Sequence, residues 1–217
     1  MVRGAEESAV RRGLARAGAA AQIAVHACGI GPASADAAAR SYDGSAGPAR
    51  VLIAGLCGGL SPALAVGDAL FYASILDPDG PRVETDAPLT ARLLDTVPAV
   101  QSGVRALASA VVVVDAAEKA VLARRYDVDA VDMESLPLVR RLTQAGHRVA
   151  VLRVVSDCVD DDLPDLNAAV GAGGALSGSG LLAVSLRKPA AALRMARNGA
   201  RALGALERAV AVAAQPR

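Results

Sequence analysis

Two strand-like runs, each ending in a carboxylate, constrain this chain more than any other feature in it. Tyr126 to Val131 alternates polar and apolar side chains and leads into Asp132-Met133-Glu134, after which Ser135 to Ala145 has a helical pattern. Arg148 to Val155 is rich in β-branched residues and stops at Ser156-Asp157. A strand–helix–strand order reads as two parallel strands, and parallel sheets gather their ligands beyond the carboxyl ends of the strands. The spacing therefore predicts that Glu134 and Asp157 reach one rim, where a carboxylate pair suits hydroxyl binding and proton transfer. Each acid also has an ordinary reading: Glu134 as a helix-start acid favoured by the macrodipole, Asp157 as a helix N-cap.

The rest of the chain repeats the alternation. Glu6 to Ala17 reads as a helix, with Val10 and Leu14 one turn apart, and Gly18 stops it. Ala21 to Ala27 reads as a strand breaking at Gly29-Ile30-Gly31-Pro32, with Ser34 capping a helix through Ala39. Arg50 to Ala54 is an apolar strand that ends in the glycine run Gly55 to Gly59, and Val66 to Phe71 is a further strand. Asp77 to Asp86, polar with two prolines, reads as a surface loop, Thr90 to Leu94 as a short helix, and Ala108 to Val114 as a buried strand. Ala116 to Arg125 is helical. Asp160 to Pro164 is a turn, Gly171 to Gly180 a Gly/Ser-rich loop, and Pro189 opens a long helix to about Ala214. Alternating strands and helices predict one α/β domain over residues 1–217, its mostly parallel or mixed central sheet flanked by helices in three layers. The last helix carries an apolar stripe beside Arg194, Arg197, Arg201 and Arg208. Such a helix ordinarily covers a sheet face, and a basic amphipathic surface also suits peripheral contact with a membrane.

Composition narrows the chemistry. With 53% apolar but only 2% aromatic residues, the core has to be built from Ala, Val and Leu. A net charge of +1 gives no global argument for nucleic acid or for an anionic membrane. Cys28, Cys57 and Cys158 form no CxxC pair, which speaks against a disulfide framework or zinc site and fits a reducing cytoplasm. With only His26 and His147, a histidine-based metal site is not expected. No apolar run reaches the roughly 18 residues of a membrane span, and Met1 to Glu7 lacks the apolar core of a signal peptide. His26 reads as a satisfied core histidine, while Lys119, Arg124 and Arg125 read as a solvated helix face.

Two glycine clusters follow strands. Gly29-Ile30-Gly31-Pro32 lacks the third glycine of a dinucleotide fingerprint, and the next strand does not end in an acid, so no nicotinamide or flavin cofactor is expected. Gly55-Leu56-Cys57-Gly58-Gly59-Leu60 is more informative, because glycines let backbone approach a planar or sugar ligand closely. The thiols of Cys57 and Cys158 have no paired base and read as packing.

Taken together, Val131-Asp132-Met133-Glu134-Ser135, Arg153-Val154-Val155-Ser156-Asp157 and the glycine run continuing into Ser61-Pro62 and Gly67-Asp68 resemble the purine nucleoside phosphorylase and nucleosidase superfamily. The resemblance implies that Met133 and Glu134 hold the ribose and that Asp157 protonates the departing purine, oriented by Ser156 and Arg153. It also implies that Gly55, Cys57 and Gly58, with Gly29, border base and sugar. A glutamate near the start of the first helix contacts the ribose and the nucleophile in that family; Glu6 fits best, with Glu7 the alternative. No metal or other cofactor is implied, and a dimer or larger homo-oligomer is. Two departures stand out. Phosphate-using members carry Arg and Ser where Ile53 and Leu56 stand, which favours water over phosphate as nucleophile, although a backbone phosphate site at Gly29-Ile30-Gly31 stays open. The family also places a strand before the first helix, and Met1 to Ala5 is too short and polar for one. The tail, Asp162-Leu163-Pro164 with Arg187-Lys188-Pro189 and an Ala/Leu/Arg helix, resembles the hopanoid-associated branch, implying removal of adenine from adenosylhopane. Nucleosidases for methylthioadenosine, adenosylhomocysteine or futalosine, a purine nucleoside phosphorylase, and a non-catalytic nucleoside binder are the other readings.

Overall fold

The computed structural model describes residues 1–42, 47–97, 100–171, 174–175 and 177–215. Its strands are β1 (Arg50–Gly59), β2 (Ala69–Leu76), β3 (Val83–Glu84), β4 (Val100–Ala108), β5 (Ala130–Asp132) and β6 (Arg148–Asp157). The helices are α1 (Ala5–Arg16), α2 (Pro32–Ser41), α3 (Ala87–Leu94), α4 (Ala116–Tyr126), α5 (Ser135–Gln144), α6 (Gly178–Arg187) and α7 (Pro189–Ala213), with a 3₁₀ turn at Leu166–Ala169.

The sheet is mixed and runs β3-β2-β4-β5-β1-β6, and β6 also pairs back to β2, so five strands close into a ring with β3 outside it. The β1–β6, β2–β4 and β4–β5 pairs are parallel; β1–β5, β2–β3 and β2–β6 are antiparallel. Alternation along β1 and β6 sorts their side chains between two helical layers. Ile53, Cys57, Val149, Val151 and Val155 pack toward α2 and α5, whereas Ala54, Leu152 and Val154 pack toward α1 and α7. As expected from the composition, these cores are mostly Ala, Val and Leu, with Phe71 and Tyr72 the large buried rings. The second half of α7 does what an amphipathic helix ordinarily does: Ala202, Ala205, Leu206, Ala209 and Val210 bury against α1 and the sheet.

Several expectations fail for identifiable reasons. Ala21 to Ala27 forms no strand; the run is largely solvent-exposed, and only Cys28 pairs, through a parallel bridge to Val2. The glycine run is not a loop but the end of β1, because β5 and β6 hold it from both sides. The strand foreseen at Ala108 to Val114 lies earlier, at β4, whose exposed Gln101 and Ser102 hid it. Val112 instead joins Asn167, its N–H donating to Oδ1 at 2.8 Å and its carbonyl accepting from Nδ2 at 2.9 Å. The loop Asp77 to Asp86 contains β3, and α2 starts at Pro32 behind Gly31 rather than at a Ser34 cap. Of the loop foreseen at Gly171 to Gly180, residues 172, 173 and 176 lie outside the described residues, and α6 already starts at Gly178 under a Ser177 cap. His26 is exposed, edge-on to Tyr42 with ring centroids 5.1 Å apart, and is no core histidine.

Candidate active site

The two acidic motifs do not sit on neighbouring parallel strands. β1 lies between them, and β5 runs against it, with Val131 opposite Gly58 and Asp157 opposite Gly58 on the other side. After β5 the chain turns back along β1, so Glu134 comes beside Gly55 and Arg153, which are register partners. Three residues of β1 separate the two rows, about 10 Å at strand rise. The acids thus mark two ends of one stretch of β1.

At the first end, Arg153 is 1% exposed and faces the α5 side with Val151 and Val155. Its Nε lies 2.9 Å from Asp132 Oδ2, Nε and Nη2 donate to Ser135 Oγ at 3.1 and 2.9 Å, and Nη1 donates to the Leu56 carbonyl at 3.3 Å. Glu134 Oε2 lies 3.7 Å from Nη2. Burial alone would weaken the guanidinium's hold on its proton, but Asp132 and Glu134 more than offset that, so Arg153 is a fixed cation. Although Glu134 stands in front of α5, its side chain caps nothing there; Oε1 accepts from the Gly31 N–H at 2.8 Å. Burial pushes its carboxyl above the ordinary range, with Arg153 opposing. Glu6, one residue into α1, accepts from the Val2 N–H at 3.2 Å and is pushed up to about 7 by burial, again with Arg153 opposing. Gly55 makes this convergence possible, since a Cβ there would overlap the Arg153 guanidinium and the Glu6 carboxylate. Met133 lies against the Gly31 turn, its Cε 3.4 Å from where a Cβ of that residue would stand.

At the second end, Asp157 is 7% exposed. The β1–β6 register slips between Cys57 and Gly58, leaving Ser156 as an extra residue, a bulge that aims Asp157 across Gly58. Ser156 Oγ stands 2.8 Å from Asp157 Oδ1 and 3.0 Å from the Cys57 carbonyl. Asp157 Oδ2 accepts from Lys119 Nζ at 2.6 Å. Gly58 is small by necessity here: a Cβ would stand 3.1 Å from Val131 Cγ1 and 3.2 Å from Asp157 Oδ2.

Geometry corrects three sequence-based assignments. Arg153 does not orient Asp157; its hydrogen bonds go to Ser135 and the Leu56 carbonyl, and Asp132 and Glu134 are its ion-pair partners. Lys119 is not on a solvated face but is fully buried against Asp157, while Arg124 and Arg125 are exposed as expected. In the Gly29-Ile30-Gly31 turn, the interacting amides are Ile30, which donates to the Gly174 carbonyl at 2.8 Å, and Gly31, which donates to Glu134; neither is open to an oxyanion. Ile53 is buried in the core and Leu56 packs against the α1–α7 layer, so neither offers an anion donor. Cys57 is a buried thiol whose ionisation burial opposes, in keeping with packing. Asp132, absent from the sequence-based site, is the nearer of Arg153's two ion-pair partners.

A family model described as the phosphorylase superfamily matches residues 6–175. No curated protein sequence matches the chain. Among solved structures, the chain is similar to the 5′-methylthioadenosine/S-adenosylhomocysteine nucleosidase of Helicobacter pylori, with 22% identity and a TM-score of 0.55 over 60% of this chain and 65% of that one. It is also similar to the futalosine hydrolase of Helicobacter pylori, with 18% identity and a TM-score of 0.55 over 80% of this chain and 75% of that one. The 5′-methylthioadenosine nucleosidase of Arabidopsis thaliana gives 16% identity and a TM-score of 0.56 over 83% and 66%. At these identities the likeness is one of fold, and the chain spans just under two thirds of the first of these relatives.

Proposed function

The chain belongs to the phosphorylase superfamily, and from that premise we propose that it cleaves the N-glycosidic bond of a 5′-substituted adenosine with water, releasing adenine. The observation that carries this reading is the two-ended arrangement along β1: Glu134 and Glu6 at the Arg153 end, Asp157 at the Gly58 end. Breaking such a bond leaves positive charge on the ribose and negative charge on the base. Glu134 accepts hydrogen bonds from the ribose hydroxyls and stabilises the oxocarbenium-like centre, as carboxylates do in other glycosidic cleavages. Met133 packs beneath the sugar. Glu6, at about 7, sits where a general base works best near neutral pH, and it takes the proton of the attacking water. Asp157 hands a proton to the purine nitrogen. Water rather than phosphate is supported by the apolar Ile53 and Leu56 and by the engaged amides of Ile30 and Gly31.

For the 5′ substituent we propose an apolar group, with adenosylhopane as one member of the class. Supporting this is the tail: from Leu166 to Leu206 the sequence holds no Asp or Glu, but holds Arg187, Lys188, Arg194, Arg197 and Arg201. On α6 and the start of α7, Leu182, Leu186 and Leu193 are 62, 72 and 53% exposed. Cations beside exposed leucines fit an anionic bilayer, the medium from which a lipid-like nucleoside would be drawn.

The test is adenine release from a panel of 5′-substituted adenosines, including methylthioadenosine and a 5′-alkyl analogue, with and without phosphate. Phosphate-independent release favouring the bulky analogue is the expected result. Preference for methylthioadenosine would replace the apolar-tail reading with that of the solved nucleosidases. Tight binding of every compound without release would make the chain a nucleoside-binding protein.

A further inference from the structure

Lys119 is a fully buried lysine on α4, and its ammonium has three acceptors: Asp157 Oδ2 at 2.6 Å, the Asp161 carbonyl at 2.9 Å and the Cys158 carbonyl at 3.1 Å. Lysine is rarely buried outright, because withdrawing its charge from water is costly unless a partner compensates. Here the partner is the residue assigned to protonate the base. The other buried cation nearby, Arg153, is taken by Asp132, Glu134 and Ser135, so among the described residues Lys119 is the cation paired with Asp157. A paired ammonium and carboxylate balance each other's charge. The pair as a whole carries one transferable proton.

We propose that Lys119 is the proton reservoir of the reaction, with Asp157 the relay between its ammonium and the purine. This rests on the reading of Asp157 as the group facing the leaving base. As the C1′–N9 bond breaks, its electron pair passes into the purine. A proton moves from Lys119 Nζ to Asp157 Oδ2, and the carboxyl group delivers a proton to the purine nitrogen. The water oxygen bonds to C1′, and its proton goes to Glu6. Lys119 is left as a neutral amine and Glu6 as a neutral acid, and exchange with solvent restores both. The two carbonyls that also accept from Lys119 keep Nζ fixed while its charge changes. The other ionisable groups around this corner are Cys158, Asp160 and Asp161 on the turn after β6, Asp115 and Asp162 at the start of α4, and Arg194, which is paired to Asp161 at 2.8 Å.

The experiment compares wild type, Lys119→Met and Lys119→Arg in the full chain on two substrates with the same 5′ group. One is the adenine nucleoside; the other is the 4-nitrophenyl β-riboside, whose leaving group needs no proton. In Lys119→Met, adenine release at neutral pH is expected to fall by about 100-fold or more, while nitrophenol release stays within about threefold. The alkaline limb of kcat/KM for the nucleoside is expected to move toward acid, because Asp157 must then hold the proton alone. Lys119→Arg keeps a charge and hydrogen-bond donors but does not release a proton, so it is not expected to restore adenine release. An equal loss on both substrates, an unmoved alkaline limb, or full activity in Lys119→Arg would each overturn the relay and leave Lys119 a structural clamp. If wild type does not turn over the nitrophenyl riboside, the alkaline limb alone decides. Failure of wild type to release adenine from any nucleoside would instead remove the proposed function on which the relay stands.

Discussion

Arg153 and Lys119, both buried side-chain cations, pair with different carboxylates: Arg153 holds Asp132 and Glu134, and Lys119 holds Asp157. On the proposed reading these acids do different work. Glu134→Gln keeps an oxygen for the Gly31 amide but removes the charge proposed to steady the ribose, so kcat is expected to fall by about 100-fold or more with adenosine affinity little changed, as read by steady-state kinetics and calorimetry. Glu6 makes a pH prediction whose sign is fixed by its elevation to about 7. As the proposed base it must be ionised, so kcat/KM is expected to rise with pH through about 7. Stability runs the other way. Between the ordinary glutamate range and 7, the folded chain keeps a proton here that the unfolded chain has lost, so this contribution to stability falls as pH rises. Glu6→Gln is expected to flatten that dependence of the urea midpoint, and a midpoint equally pH-dependent in the variant would contradict it. The placement of Glu134 and Met133 just beyond β5, and of Ser156 and Asp157 at the end of β6, was legible in the sequence because each pair sits in a short motif after a strand-like run. Lys119 was not, because a lysine among helical charges looks solvated, and only the turn after β6, some forty residues on, buries it.

At the scale of elements, α1 and α7 meet at a glycine. A Cβ on Gly13 would stand 2.6 Å from the Glu207 carbonyl oxygen and 3.1 Å from Val210 Cβ. Backbone cannot yield as a flexible side chain can, so Gly13→Ala is expected to cost about 1–3 kcal/mol in urea unfolding; an unchanged midpoint would show that the helices can part freely. Val184 and Ala191 are buried, but one face of α6 and of the start of α7 is exposed with Leu182, Leu186 and Leu193. Co-sedimentation with vesicles containing anionic lipid is expected, weakened in Leu182→Glu/Leu186→Glu and by salt; equal binding to neutral vesicles would remove the charge argument. Helices with strong apolar periodicity, such as α1, α5 and α7, were readable to within a residue or two. β4 and the bridge at Cys28 were not, because pairing there is decided by distant partners rather than by local pattern.

Across the whole molecule, the alternation of strands and helices announced an α/β fold, but not how its sheet closes. The pairing of β6 back to β2, and the antiparallel placement of the three-residue β5 against β1, are long-range choices. They decide the site: with β5 reversed, Glu134 returns along β1 to Arg153 while Asp157 stays beside Gly58. Among the described residues no helix is long and apolar enough to cross a membrane. Assembly into a homodimer or larger oligomer, implied by the family resemblance, is expected from light scattering of the full chain; a monomer at all concentrations would contradict it. The most direct test of the central claim is the identity of the sugar released with adenine when the reaction runs in phosphate buffer. Water-driven cleavage by Glu6, Glu134 and Asp157 predicts a free 5′-substituted ribose. A ribose 1-phosphate would contradict the hydrolytic reading, and no sugar at all would contradict catalysis.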